Sequence, residues 1–419
     1  MKYKIITIAV VISMVVGTFF LQGYEGPKNR YHQHLQAKTK EKCTDHDEDV
    51  FCTHLPLLNI TTDGEIPEPH ILNEDGTIKK DENGKSEKNN ETVASTITLY
   101  DSKNKNNHLN DKPVFTEKAQ FRIRGNSSRR FEKKGYAINF KEDDLITNKA
   151  VEFAGMTADN NWALHGPFLD RTLIRNYLAY NIVGEIMDYS PNVRFCEMFL
   201  NGEYQGLYLI TEKISFNKNG RVKLTPTDSK NLDTSYILKL DSGALDPARN
   251  LTTFADNTGK RGSNKRKYEK LEILYPNETL TKDQHDSIQN NISHFEKSLT
   301  SFDSTDPNRG YPSYIDVQSF VDYYVLNEFM MNADAGRIST YYSKDIRGKI
   351  KIIGWDYNSI FNNYFMDLTQ PQEFYTTNLW MNFLLKDVKF VNKVNTTYHK
   401  LRFYNFLMML RLIDHLSDQ

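Results

Sequence analysis

Cysteine is scarce in this sequence, with Cys43, Cys52 and Cys196 the only three in 419 residues. That count excludes a disulfide-built scaffold, and no histidine cluster has the spacing of a structural metal site. Cys43 and Cys52 are near enough in sequence to close one small loop in an oxidising compartment. Cys196 lies in an apolar strand and reads as a small buried hydrophobe. An excess of charge of either sign is missing too: 53 Lys and Arg balance 54 Asp and Glu, a formal net charge of −1. Nucleic acid is therefore not an expected partner, and any electrostatic function must be local. No internal repeat is present.

What the chain does have begins at its N-terminus. Lys2 and Lys4 precede an uncharged apolar run from Ile5 to Leu21. This reads as a secretory signal or, if uncleaved, a helix that anchors the chain in a membrane, with the remainder outside the cytoplasm. The expected organisation is a signal or anchor over 1–23, a polar linker over 24–54 and a folded domain over 55–419. At this length one compact core is not enough, so two domains or one bilobal unit is expected. Strand patterns such as "STITLYD", "AQFRIRG" and "GYAINF" fill the first half. "LNGEYQGLYLITEKI" reads as a hairpin turning at Asn201-Gly202. "RTLIRNYLAYNIVGEIM" and "DVQSFVDYYVLNEFMMN" carry apolar residues at helical spacing. The polar stretch "NEDGTIKKDENGKSEKNNETV" reads as an open loop. The fold class is α+β, sheet-rich in the N-terminal half and helix-rich in the C-terminal half.

Four stretches can carry chemistry. In "NADAGRISTYYSKDIRGKIKIIGWDYN", a turn near Asp345 to Lys349 pairs two strands and sets Asp356 roughly opposite Arg337–Ser339, with Asp334 just beyond. Two carboxylates then meet at one cleft mouth: one can accept a proton while the other, with Asn358, holds a hard divalent cation. Against this stands the plainer reading that both are turn residues. "RIRGNSSRRFEKKGY" gathers Arg124, Lys133, Lys134 and further cations around one turn, as a polyphosphate requires, though a solvated basic turn has the same composition. In "LYLITEKI", Glu212 sits on an otherwise apolar strand and needs a partner, for which a lysine of the basic turn would serve. In "NWALHGPFLDRTLIRN", Arg175 reads as an ion-pair partner of Asp170.

These segments, in this order, resemble the CotH family of spore-coat kinases, and the resemblance extends from about Leu55 to beyond Asn363. It implies a diverged, bilobal protein-kinase-like fold that transfers phosphate from ATP to Ser or Thr hydroxyls of a coat or surface protein, itself included, with Mg²⁺ or Mn²⁺. Matched residue by residue, Asp334 resembles the catalytic Asp that deprotonates the acceptor hydroxyl, and Asp356 the metal-binding Asp, with Asn358 beside it. Lys133 or Lys134 would take the ATP phosphates. The chain departs from the family pattern in three places. Many members carry a second Asp where Asn358 stands, and Phe-Gly where this chain has Phe361-Asn362. They also carry more helix after the segment like "FLLKDVKFVNKV", so a shortened C-terminal lobe is expected. A non-catalytic adhesion or coat-assembly protein, and a metal-dependent phosphohydrolase, remain the rival readings.

Overall fold

The computed structural model describes residues 51–419, apart from 82–83, 85, 217–220, 243–245, 259–268, 278, 364–375, 377–378 and 418–419. The expected signal or anchor over 1–23 and nearly all of the expected linker lie outside the described residues. Among the first described residues, the Phe51 ring meets Phe199 edge-on at 5.1 Å.

Seven strands close into a barrel in the order β1-β2-β3-β4-β7-β9-β8. They are β1 (Leu57–Thr62), β2 (Val93–Tyr100), β3 (Phe115–Arg124), β4 (Gly135–Phe140), β7 (Asn161–His165), β8 (Val193–Leu200) and β9 (Glu203–Glu212). A small two-stranded sheet, β5 (Val151–Phe153) with β6 (Met156–Asp159), lies between β4 and β7 in sequence. Neighbouring barrel strands run antiparallel, except that β1 pairs in parallel with β8 and so seals the cylinder. Alternation explains the closure: Phe121, Ile123, Tyr136, Ile138, Phe140, Trp162, Leu164 and Ile210 are all buried at every second position of their strands. The β8–β9 turn is the expected Asn-Gly pair, with Asn201 at φ 52° and Gly202 at φ 83°.

The "NEDGTIKK" stretch is not an open loop. Its described residues pair as a β-arm through His70↔Lys88, Leu72↔Ile78 and Lys80↔Ser86. The buried guanidinium of Arg129 holds the base of the arm, donating to the carbonyls of Pro69 and Asn89, both at 2.6 Å.

The rest of the chain forms a second sheet with helices around it. Strands β10 (Tyr236–Ser242), β11 (Asn250–Leu251), β12 (Glu269–Tyr275), β13 (Thr340–Lys344) and β14 (Lys351–Ile353) are ordered β11-β12-β10-β13-β14. The C-terminal half thus holds a five-stranded sheet as well as the expected helices. Helix α1 (Arg175–Ile186) is buried without a break from Asn176 to Gly184. Helices α2 (Phe254–Asn257), α3 (Lys282–Ser298), α4 (Val317–Phe329), α5 (Leu379–Leu384) and α6 (Val388–Ser417) follow. A Thr281/Gln284 capping box starts α3, and the Asp316 side chain caps α4 by accepting from the Ser319 amide at 3.1 Å. One core joins α1, α3, α4 and the second sheet, and α6 adds Phe390, Leu401 and Met409 to it. None of the described helices is long and apolar enough to cross a membrane.

Cys52 is disulfide-bonded, and Cys196 is a fully buried free thiol whose pKa burial pushes up.

Candidate functional site

The β13–β14 hairpin has the register expected of it: Tyr341↔Ile353, Tyr342↔Ile352 and Ser343↔Lys351. Extending that pairing sets Asp356 across from Ile338, so Asp334 and Asp356 emerge at the same end of the hairpin. The strands themselves are shorter than expected, because Ser339 (φ 51°) and Asp356 (φ 63°) both take the left-handed conformation. Backbone of this kind is costly for residues other than glycine and persists where surrounding contacts enforce it.

At Asp356 those contacts come from α1. The Asp356 amide donates to the Tyr180 hydroxyl at 3.2 Å, and the next amide, Tyr357, donates to Asn176 Oδ1 at 2.9 Å. Asn176 Nδ2 then donates to Asn358 Oδ1 and lies 3.0 Å from His165 Nε2. Asn358 Nδ2 donates to the Asp356 carboxylate. Arg175 adds a bond from Nε to the Ile360 carbonyl at 3.2 Å and an ion pair to buried Asp170, as expected of that pair. Gly354 permits the tight return: a Cβ there would lie 1.8 Å from the Tyr357 hydroxyl. Asn362 sits at φ 58°, a conformation glycine takes freely and asparagine tolerates better than most residues, which accounts for Asn where Gly is common.

The electrostatics join these parts. Burial first, and then the charge of Asp334, push the Asp356 pKa up to about 6, while Arg124 opposes the shift and Asp241 adds to it. Arg124, at the end of β3, lays its guanidinium carbon 5.8 Å from the Trp355 ring centroid and has no hydrogen bond or ion pair among the described residues. Burial and the nearby charges of Arg124 and Lys133 hold His165 at about 4, so it is neutral at physiological pH. Asp241 pairs with Lys239 at 2.6 Å on β10. Two carboxylates, Asp334 and Asp241, and one cation, Arg124, thus act on Asp356.

Of the other expected residues, three are placed elsewhere. Lys133 turns into the end of the barrel, where Nζ donates to the Gln205 carbonyl at 2.7 Å and lies 4.4 Å from the Tyr208 ring. Lys134 donates to the Arg129 carbonyl at 2.9 Å. Glu212 accepts from the Asn192 backbone amide at 2.9 Å and the Asn192 side chain at 3.1 Å. The expected Lys–Glu pair does not form: Asn192 supplies hydrogen bonds inside the barrel wall, and both lysines are engaged with backbone carbonyls. Sequence reading places Asn176 only as a flank of the helix start, and it missed His165, Lys213 and Asp241. The signal for the last two was a charged side chain at the very end of an apolar strand, in "LYLITEK" and "YILKLD".

Among the described residues no three His, Cys, Asp or Glu side chains gather into a metal cage. A hard cation such as Mg²⁺ needs only one or two carboxylates, since waters and phosphate oxygens complete its shell. Asp356 and Asp334 offer that set, and their mutual repulsion is what a cation would relieve. Asn358 fits less well as a ligand, because Asn176 already donates to its Oδ1.

Fold and site together define a mixed α+β protein with a closed barrel and a helix-backed sheet, in which Arg124 of the barrel and Asp334 and Asp241 of the second part all act on Asp356. Residues 121–414 match the family described as CotH kinase protein, well over half of the sequence, and the chain belongs to that family. No curated protein matches the chain.

Proposed function

We propose that this chain is an extracytoplasmic protein kinase, transferring the γ-phosphate of ATP to Ser or Thr hydroxyls of a coat or surface protein, on a diverged bilobal kinase-like fold. The observation that carries the reading is the meeting of Asp334, Asp356 and Arg124 at one cleft. Phosphoryl transfer asks for positioning and charge neutralisation more than covalent chemistry, and Asp356, with Asp334 and Arg124 acting on it, supplies both. Asp334 orients the acceptor hydroxyl and takes its proton. Asp356, steadied by Asn358 and Asn176, would be the principal ligand for Mg²⁺ or Mn²⁺, with Asp334 near enough to contribute. A bound divalent cation would neutralise phosphate charge there. Arg124 approaches the phosphates from the barrel side.

Purified protein given labelled ATP with Mg²⁺ or Mn²⁺ should label itself or a Ser-rich partner, and Asp334→Ala should cut labelling at least a hundredfold. Asp356→Ala should abolish metal-dependent nucleotide binding. Equal labelling by wild type and Asp334→Ala would remove the assigned base.

A non-catalytic adhesion or coat-assembly role on the same fold is the second reading, favoured by the missing Lys–Glu pair. Calorimetry with ATP and metal separates the two, since an adhesin has no need of nucleotide.

A further inference from the structure

The hydrogen bonds around Asp356 can be traced from one fixed donor. A backbone amide can only donate, so the bond from the Tyr357 amide, at 2.9 Å, sets Oδ1 of Asn176 toward it. Nδ2 of Asn176 must then point the other way, toward Asn358 and His165, and each of these has to accept. Asn358 therefore turns its Oδ1 to Asn176 and its Nδ2 to Oδ1 of Asp356. His165 must offer a lone pair at Nε2, 3.0 Å away, and carry its proton on Nδ1. Each group in the series is set by the one before it.

His165 is where this series meets the barrel. It is the last residue of β7 and pairs with Leu209 of β9. The backbone beyond it is pressed against the turn between β3 and β4, since a Cβ on Gly166 would lie 2.6 Å from the Lys134 carbonyl oxygen. The imidazole is thus carried by a rigid part of the barrel wall. Burial and the charges of Arg124 and Lys133 bring its pKa down to about 4, so the ring is neutral. A charged ring would turn an N–H toward another donor; the neutral one supplies the acceptor that the amide needs. Asn176 is buried at the start of α1, where an N–H left without an acceptor is costly and its amide is free to tilt.

We infer that His165 is a positioning residue for the cation site: it holds Asn176 from the barrel side and, through it, keeps Asn358 as a hydrogen-bond donor to Asp356 instead of a cation ligand. This rests on reading Asp356 as the principal ligand. The barrel thereby sets the orientation of a carboxylate that belongs to the second sheet's hairpin.

The test is calorimetric titration of Mn²⁺, without nucleotide, into the full-length protein and into His165→Leu, His165→Gln, Asn358→Ala and the double variant His165→Leu/Asn358→Ala, with denaturant midpoints recorded in the metal-free state. His165→Leu should weaken Mn²⁺ binding about tenfold, the loss expected when the support of a ligand is removed. His165→Gln keeps an acceptor and should stay within about threefold of wild type. The double variant should bind no more weakly than Asn358→Ala alone, because the histidine acts only through that asparagine, and the metal-free midpoint losses should be less than additive. Unchanged binding by His165→Leu, equal weakening by Leu and Gln, or losses that multiply in the double variant would overturn the role given to His165 while the cation reading stands. If wild type binds no Mn²⁺, the reading of Asp356 as a ligand falls. Less-than-additive midpoints would then keep the chain of bonds from His165 to Asp356 without its cation, and additive midpoints would overturn that as well.

Discussion

Asp356 concentrates the tension of the site in one side chain: a carboxylate in left-handed backbone, held by α1 and facing a second carboxylate. Its folded pKa of about 6 lies above the ordinary value of 3.8, so the native state binds the extra proton. The sign follows. The stabilising contribution is complete only below pH 3.8 and is lost as pH rises through about 6, a full change of roughly 3 kcal/mol, of which about 2 falls between pH 4.5 and pH 7.5. His165, lowered to about 4, works in the opposite direction, because its contribution is present above 6.5 and lost as pH falls. Comparing wild type with Asp356→Asn cancels the histidine. The variant should gain about 2 kcal/mol on wild type between pH 4.5 and pH 7.5, read from denaturant midpoints. A constant difference across that range would mean that Asp356 is not strained by its surroundings.

Between elements, the joint is made by α1 and the loop after β14, through Asn176, Tyr180 and Gly354. Gly354→Ala would drive a methyl group into the Tyr357 hydroxyl and should cost about 1–3 kcal/mol. Tyr357→Phe removes the clashing oxygen, so in the double variant much of that loss should return. Strictly additive effects, measured in a double-mutant cycle, would show that the two residues do not meet. How far this joint could be read from sequence differs by residue. The hairpin and its register were legible, because a turn between two apolar strands fixes which ends coincide. That Asp334 and Asp356 come out at one end of it followed from the register, while the roles proposed for them came from the family resemblance. The hold of Asn176 on this loop was not legible, since it arises from contacts between segments far apart in the chain, and no local pattern encodes those. The basic turn misled for a related reason: composition shows that Lys133 and Lys134 are cationic, but only the barrel's curvature shows one turned into its end and the other toward Arg129.

For the whole molecule, barrel closure was the least legible feature. Each strand carried its own alternation, yet nothing in "HLPLLNITTDG" announces that it will lie beside "RFCEMFL" in parallel. The family match begins at Phe121, within β3, while β1 and β2 come before it. A chain starting at Phe115 would keep all of the matched region and lose two of the seven barrel strands. Such a truncation should show no cooperative thermal transition by circular dichroism. Melting with the wild-type midpoint would show that the first two strands are dispensable.

The parallel seam, Leu57↔Glu197 through Ile60↔Leu200, has a consequence for how the protein is made. A chain that emerges N-terminus first must hold β1 with one edge unsatisfied until β8 has been delivered, since no nearer strand fills that position. Non-local pairing of this kind is slow, and an exposed edge invites pairing with other chains. Newly made molecules should therefore be most at risk of sticking to one another before residue 200 is out, and that hazard would set how fast they can be produced.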